Sequence, residues 1–138
     1  MNKDDLQKLV DIRVNEAKIL LDNKYHLGAY YLLGYAVECA LKAIIAKKVK
    51  QYDFPDRKLA NDSHSHKISE LAIVAEISED LTDKEAHDEE FKSHRKIAKD
   101  WSEKVRYDHG LKLDIVHNFF NAVLNEKSGV LTCLKKYL

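Results

Sequence analysis

The segment from Gly28 to Ile45 constrains this chain most, because it is apolar on nearly every side of a helix and still contains a carboxylate and an amine. These are Glu38 and Lys42, four residues apart. A helix that is apolar all round is the buried centre of a helical protein. A carboxylate in such surroundings is costly unless it has a partner. The sequence therefore predicts a buried Glu38 and a specific cation elsewhere in the chain to match it.

Composition limits the classes of protein that fit. The chain has 138 residues, the size of one domain, so we expect a single domain over residues 1–138. Basic and acidic residues both number 23, and the resulting zero net charge argues against a strongly basic nucleic-acid-binding module, although a local basic patch is compatible with it. Cys39 and Cys133 have no neighbouring cysteine, and reduced thiols in a cytoplasmic protein explain them most simply.

The long apolar segment raises the question of a membrane span. Two glycines and two ionisable side chains interrupt it, so the uninterrupted run stays below the ~18 apolar residues that indicate a membrane-spanning helix. The start of the chain, Met1–Asp5, is polar and acidic and does not resemble a secretory signal. We therefore expect no membrane association.

Apolar residues recur at spacings of three and four along most of the chain, which has one proline and four glycines. The predicted fold is all-α: an antiparallel up-and-down bundle of four long helices plus a short helix. The first helix is capped by Asp4 or Asp5, and the second covers residues 26–49. The short helix follows Ser63 or Ser65. The remaining long helices are predicted from the capping box Thr82–Glu85 through Val105, and from Asp114 through Gly129 to Leu134.

Two stretches resemble a known family. The run Gly34–Ala43 resembles the second helix of the HEPN domain (higher eukaryotes and prokaryotes nucleotide-binding), and Trp101–Tyr107 matches a Trp followed by Arg-Tyr in many prokaryotic members. Arg13 on the inner side of the first helix also fits. The resemblance extends from about Arg13 to the final helix, and the two motifs together are fairly specific.

The resemblance implies a helical bundle that forms a homodimer, often encoded beside a minimal nucleotidyltransferase. It also implies one of several roles: a ribonuclease that needs no metal or other cofactor, an RNA-binding component of a toxin–antitoxin pair, or a noncatalytic binding module. The ribonucleases of the family have an Arg and a His four to six residues apart, and an acid on the second helix often holds the Arg. Here Arg106 and His109 are three residues apart.

These residues define the predicted site. Glu38 is expected to pair with Arg106, either as a structural salt bridge or as the acid that orients Arg106 towards a phosphate. If the site is catalytic, His109 would exchange the proton of a ribose 2′-hydroxyl and Arg106 would stabilise the charged transition state. The candidate RNA- or nucleotide-binding residues are Arg13, Tyr35, Lys42 and Tyr107. The alternative for Tyr35 is core packing or a dimer interface, and the alternative for Arg13 is a snorkelling side chain or a pair with a core acid.

Histidines elsewhere in the chain suggest one further kind of site. His64 and His66 alternate as metal ligands sometimes do, and His87 and His94 follow on the next long segment. A zinc site needs three or four ligands held by structure, so a solvated loop with a helix cap is preferred and no metal is predicted.

The preferred function is a HEPN-type nucleotide- or RNA-binding module, a component of a toxin–antitoxin or defence-type pair with a nucleotidyltransferase. The Arg–His spacing favours this function over the first alternative, an endoribonuclease that uses Arg106 and His109. The second alternative is a noncatalytic structural or interaction protein.

Overall fold

The computed structural model describes residues 1–49, 57–107 and 109–138, without the side chain of Arg106. The described residues are all-α, as predicted, with no β-strand among them. The helices are α1 (Lys3–Asp22), α2 (His26–Lys48), α3 (Arg57–Asp62), α4 (Ile68–Val74), α5 (Ser78–His87), α6 (Glu89–Lys99), α7 (Leu113–Leu124) and α8 (Val130–Leu134). Two short 3₁₀ helices cover Glu103–Tyr107 and Lys135–Tyr137.

Helix α2 is the centre of the molecule, because α1, α4, α7, α8 and the 3₁₀ helix Glu103–Tyr107 all pack against it. By length and hydropathy α2 would also suit a membrane span, but 67% of its most apolar window is buried inside the protein. It is therefore the core helix expected from its composition. Its buried side chains join those of the other helices in one apolar core that includes Leu33, Leu41, Phe91 and Phe119.

Helices α1 and α2 form a hairpin. Asn2 begins α1 with a capping box, in which its side chain accepts from the Asp5 amide, so the predicted caps Asp4 and Asp5 lie inside the helix. At the other end Lys24 adopts a positive φ of 69°, and the Tyr25 amide donates to the carbonyl of Leu20 at 2.8 Å. This tight turn sends α2 back along α1.

Both of the predicted later long helices are divided. The first was expected to start at Thr82, but α5 begins at Ser78, and Thr82 Oγ1 donates to the Ser78 carbonyl inside it. Helix α5 ends at His87. The side chain of the next residue, Asp88, accepts a hydrogen bond from the Phe91 amide and caps the start of α6. An aspartate is a strong N-cap, and the new helix begins there instead of continuing the old one.

The second division separates α7 from α8. The Asn125 side chain accepts from the amides of Lys127 and Ser128 and forms a turn where a continuous helix through Gly129 was expected. A Cβ on Gly129 would lie 2.5 Å from the Asn125 carbonyl oxygen, so this close turn requires glycine. His94 of α6 supports the turn: its Nδ1 lies 3.0 Å from the Ser128 carbonyl oxygen.

The two stretches that carry the HEPN resemblance are in direct contact. The indole of Trp101 lies against α2 at Gly34, where an added Cβ would be 1.9 Å from the ring. Trp101 is 3% exposed, and its indole N–H donates to the Tyr30 carbonyl at 3.2 Å. Gly34 is thus the position on α2 where a large aromatic ring packs directly on the backbone.

We predict that Gly34→Ala destabilises the protein, because the buried indole has to move away from the new methyl group. Overpacking of this kind typically costs about 1–3 kcal/mol. The measurement is the free energy of unfolding from a urea titration.

Gly28→Ala is the matched control on the same helix. Its Cβ would meet only the end of the Leu20 side chain, at 3.2 Å, and alanine has a helix propensity better than glycine by about 1 kcal/mol. We expect this variant to be as stable as the unmodified protein or more so. Equal urea midpoints for Gly34→Ala and the unmodified protein would contradict the packing argument.

Candidate functional site

Glu38 is buried and has two nitrogen partners. Its side chain is 3% exposed, and one of its oxygens, Oε1, lies 2.9 Å from Lys42 Nζ and 2.6 Å from His66 Nδ1. Lys42 is one helical turn further along α2, and His66 is in the loop between α3 and α4. A buried carboxylate with one ion pair and one hydrogen bond is a stable arrangement, whereas the same group without them would be costly.

His66 also lies close to a second carboxylate. Glu103, at the start of the 3₁₀ helix, has Oε2 3.2 Å from the same Nδ1 atom. A ring nitrogen has one hydrogen to donate, and the shorter contact to Glu38 has hydrogen-bond geometry. Because an ionised carboxylate can only accept, the hydrogen is on Nδ1 of His66. In the neutral imidazole the other nitrogen, Nε2, then has a free lone pair.

One oxygen of each carboxylate, which in Glu103 is the atom 3.2 Å from His66 Nδ1, accepts no hydrogen bond from the described part of the chain. These atoms, Glu38 Oε2 and Glu103 Oε2, are both buried. Buried polar atoms in native proteins are nearly always hydrogen-bonded, so an unmatched pair at one place is unusual. The cluster of Glu38, Lys42, His66 and Glu103, called the acid–histidine cluster below, therefore has unused acceptor capacity.

Aromatic rings surround the acid–histidine cluster. Tyr35 lies edge-on to Trp101, to Tyr31 and to His66, with the His66 ring centroid 6.2 Å away. Burial and a hydrogen bond with Tyr31 raise the pKa of the Tyr35 hydroxyl, and the charges of Glu38 and Glu103 raise it further. Tyr35 therefore stays neutral at physiological pH.

Tyr35, Cys39 and Lys42 are three and four residues apart and share one face of α2. Burial and then the charge of Glu38 raise the pKa of the Cys39 thiol, while the charges of Arg13 and Lys42 act in the opposite direction. Arg13 is one-third exposed and pairs with Glu16 of its own helix. Arg13 of α1 is thus close enough to this face for its charge to act on Cys39, and both cations are already paired with carboxylates.

A groove opens beside His66. It has a volume of about 410 Å³, and its walls come from the α3–α4 loop, the start of α4, the end of α6 and the segment from Trp101 to Lys104. Its lining includes three basic side chains (Lys67, Lys99, Lys104) and two acidic ones (Asp100, Glu103). This mixed, slightly basic groove is the concave surface that adjoins the acid–histidine cluster.

The remaining predicted site residues are placed differently. His109 is exposed in the turn that follows the 3₁₀ helix, and Tyr107 is 74% exposed. The backbone of Arg106 belongs to the 3₁₀ helix that packs against α2, but its side chain lies outside the described residues. The predicted Glu38–Arg106 pair therefore stays a prediction, and the partners the structure records for Glu38 are Lys42 and His66.

Sequence reasoning missed the position of His66. The alternation of His64 and His66 is typical of a solvated loop, and nothing in the local pattern links that loop to α2. The signal that existed was Glu38, whose burial required a partner that the spacing could not identify. Within the described residues, no group of three or more His, Cys, Asp or Glu side chains is arranged to hold a metal ion.

One basic residue of α6 is buried. Arg95 is 7% exposed and its guanidinium lies 3.2 Å from Glu85. Arg95 lies on the buried face of α6, and its ion pair with Glu85 links α6 to α5 within the protein. Arg95 is thus unavailable to an RNA backbone.

Comparison of the chain with protein families, with curated proteins and with solved structures found no match.

We predict that both thiols react slowly in the folded protein, because burial raises the pKa of Cys39 and of Cys133. The thiolate is the reactive form, and each unit of pKa is a factor of about ten in its population. Reaction with a disulfide reagent at pH 8 should therefore be about tenfold or more slower than in guanidinium.

The same pKa shifts fix the sign of a pH effect on stability. A raised pKa in the folded state stabilises the protein fully below the ordinary thiol pKa of about 8.5, and this contribution is lost as the pH rises above it.

In the disulfide-reagent experiment, the single variants Cys39→Ser and Cys133→Ser separate the reaction rates of the two thiols. Equal rates in folded and unfolded protein would show that the thiols are not protected.

The Glu38–Arg106 prediction is tested by a double-mutant cycle. If the guanidinium supplies the donor that Glu38 Oε2 lacks, Arg106→Ala should cost ~3–5 kcal/mol of unfolding free energy, because a buried charge loses its partner. In the background of Glu38→Gln the cost should be much smaller. Additive effects of the two substitutions, measured by urea unfolding, would exclude the pair.

Proposed function

We propose that this chain is a HEPN-type nucleotide- or RNA-binding module that acts in the cytoplasm. The observation that carries the proposal is that Tyr35 and Lys42 share one face of α2, where Lys42 belongs to the acid–histidine cluster and the charge of Arg13 from α1 acts on the intervening Cys39. Two cations and an aromatic ring suit phosphate contacts and base stacking.

The packing of Trp101 on Gly34 supports the family assignment, because the two stretches that resemble the HEPN domain depend on each other physically. We propose on the same ground that the helices form an antiparallel up-and-down bundle. The half-buried Tyr31 and the exposed Tyr25 leave aromatic surface on α2 and its N-terminus, as a homodimer of this type would use. A nucleotidyltransferase partner, in a toxin–antitoxin or defence-type pair, belongs to the same proposal.

Binding at this surface is an exchange of ion pairs. Arg13 and Lys42 leave Glu16 and Glu38 at least in part when they contact a phosphate, so the protein loses two carboxylate contacts and gains phosphate contacts. Such binding is modest in affinity and depends strongly on salt, because the favourable term is the release of counterions from the nucleic acid. The exposed Glu16 is the easier carboxylate to give up, since water replaces its partner.

We predict that Arg13→Gln weakens binding of a fluorescein-labelled single-stranded RNA by roughly tenfold at low salt, through loss of a charge-assisted hydrogen bond to phosphate. The slope of log affinity against log salt should become less steep by ~0.7 for each phosphate contact that is lost. Fluorescence anisotropy measures both quantities.

Lys18→Gln is the matched control, because Lys18 is exposed on the same helix and the substitution removes the same charge. Compared with Arg13→Gln at about 0.15 M salt, where the Debye length is about 8 Å, it should leave the affinity within about twofold, since a charge without a phosphate contact is largely screened. Equal losses in the two variants would indicate a nonspecific charge effect, and absence of binding by the unmodified protein to RNA and to mononucleotides would refute the proposal.

A further inference from the structure

We propose that His66 makes the binding surface sensitive to pH, because a protonated His66 replaces Lys42 as the ionic partner of Glu38 and leaves the Lys42 ammonium available to a phosphate group. This inference rests on the proposed function, in which Lys42 contacts phosphate. It assigns no chemical step to His66 and concerns the regulation of binding instead. The contacts that carry it all belong to the described part of the chain.

The two partners of Glu38 contact the same atom. Its Oε1 lies 2.9 Å from Lys42 Nζ and 2.6 Å from His66 Nδ1. The Glu38 side chain is 3% exposed, so water does not replace a partner that moves away. When Lys42 leaves Oε1, the carboxylate therefore depends on its contact with His66. The strength of that contact determines how easily Lys42 becomes available to a ligand.

The charge of His66 determines the strength of this contact. A neutral imidazole donates an ordinary hydrogen bond from Nδ1, and Lys42 then supplies the positive charge beside Glu38. An imidazolium donates the same hydrogen bond with a positive charge of its own, and hydrogen bonds of ionised groups are roughly twice as strong as neutral ones. Departure of Lys42 therefore leaves an ion pair if His66 is protonated. If His66 is neutral, it leaves a buried carboxylate without a counter-charge among the described residues, which is costly.

The immediate surroundings of the imidazole favour its protonation. Glu103, from the 3₁₀ helix, has Oε2 3.2 Å from Nδ1, and this oxygen accepts no hydrogen bond from the described residues. With Glu38, Glu103 and Lys42 charged, a neutral His66 has one excess negative charge beside it, and protonation neutralises that excess. The side chain of His66 is 46% exposed, so a proton reaches the ring from solvent.

The other charged or titratable groups near His66 have smaller effects. Tyr35 of α2 is neutral at physiological pH, and the remaining groups are exposed, so their charges interact weakly through water. Arg106 belongs to the same 3₁₀ helix as Glu103, and its side chain lies outside the described residues. The exposed groups are two neighbours in the loop, His64 and Lys67, and three residues across the groove, Lys99, Asp100 and Lys104.

Lys42 is placed to reach a ligand once it leaves Glu38. Its side chain is 24% exposed, and it lies two helical turns from Tyr35 on the same face of α2. The ammonium group is at the end of a flexible four-carbon chain, so rotation about that chain moves it from Oε1 to the surface. The released cation therefore appears on the face proposed to bind RNA.

Proton binding and phosphate binding are linked by this exchange. If protonation of His66 makes Lys42 more available, a phosphate that holds Lys42 must favour protonation of His66 by the same factor. We therefore expect the affinity for RNA to increase as the pH falls from about 8 to about 5.5, the range in which histidines gain their charge. Because one proton is involved, the increase contributed by His66 is at most tenfold per pH unit.

The experiment measures the fluorescence anisotropy of a rhodamine-labelled oligouridylate with the full chain, at constant ionic strength, across this pH range. The affinity of the unmodified protein should increase by about tenfold, a typical size for coupling between two sites. His66→Asn retains a side-chain N–H for Glu38 but cannot be protonated, so most of the increase should disappear in this variant. Its urea midpoint shows whether it is folded.

Two further variants separate this effect from a general gain of charge. His64→Asn removes an exposed titrating side chain from the same loop, so the increase should remain. Lys42→Gln should bind RNA more weakly and lose the increase, because no ammonium is released. Adding His66→Asn to Lys42→Gln should then cause no further change in the pH dependence, as expected for two residues that act through one interaction.

Two measurements on the unmodified protein need no variant. RNA binding at neutral pH should take up protons, which calorimetry detects as a difference in apparent binding enthalpy between two buffers with different heats of ionisation. The imidazole ¹⁵N chemical shifts of His66 should move towards those of imidazolium when the RNA is added.

The outcomes separate this inference from the proposed function. An affinity that does not change with pH, or RNA binding without proton uptake, would overturn the regulation by His66 and leave the binding function standing. An increase that persists in folded His66→Asn would also overturn it, since the charge would come from other histidines. Failure to bind RNA at any pH would refute the proposed function and this inference with it.

Discussion

The carboxylate of Glu38 is the interaction on which the rest of the structure depends. A core helix gains stability from apolar burial, and a single ionised group inside it would remove much of that gain if left alone. Lys42 provides a partner from the same helix, and His66 provides one from the loop that precedes α4, a helix that also packs against α2. The buried charge thus adds to the packing of α4 in positioning the α3–α4 loop and with it one wall of the groove.

The contact between Trp101 and Gly34 also helps to position the groups around His66. The missing side chain at Gly34 lets the indole lie on the backbone of α2, and this fixes the segment that follows α6. Glu103 is two residues after Trp101, so the indole contact also decides how close the second carboxylate comes to His66. Apolar packing therefore determines the geometry of a polar cluster, which is the usual way that proteins hold functional groups at fixed distances.

Sequence periodicity predicted the all-α class and the limits of α2 to within a residue, because a long apolar helix is determined mainly by its own composition. Periodicity did not predict the helix boundaries that are set by short polar signals. Asp88 begins a new helix inside an amphipathic pattern, and Asn125 forms a turn where the apolar stripe continues. The contact of Glu38 with His66 could not be predicted from the sequence, because a contact between residues 28 positions apart depends on packing that no local pattern describes. The burial of Arg95 depends on packing in the same way, because a guanidinium can be buried when an acid from another helix, here Glu85, pairs with it.

Trp101 is the single tryptophan of the chain, and it lies between the core and the groove. Its indole is almost fully enclosed, its N–H group is engaged by the Tyr30 carbonyl, and its edge is a few ångströms from Tyr35. The emission wavelength and intensity of this one fluorophore therefore depend on whether α2 is packed and on what occupies the space beside His66. The protein thus contains its own optical reporter beside the acid–histidine cluster.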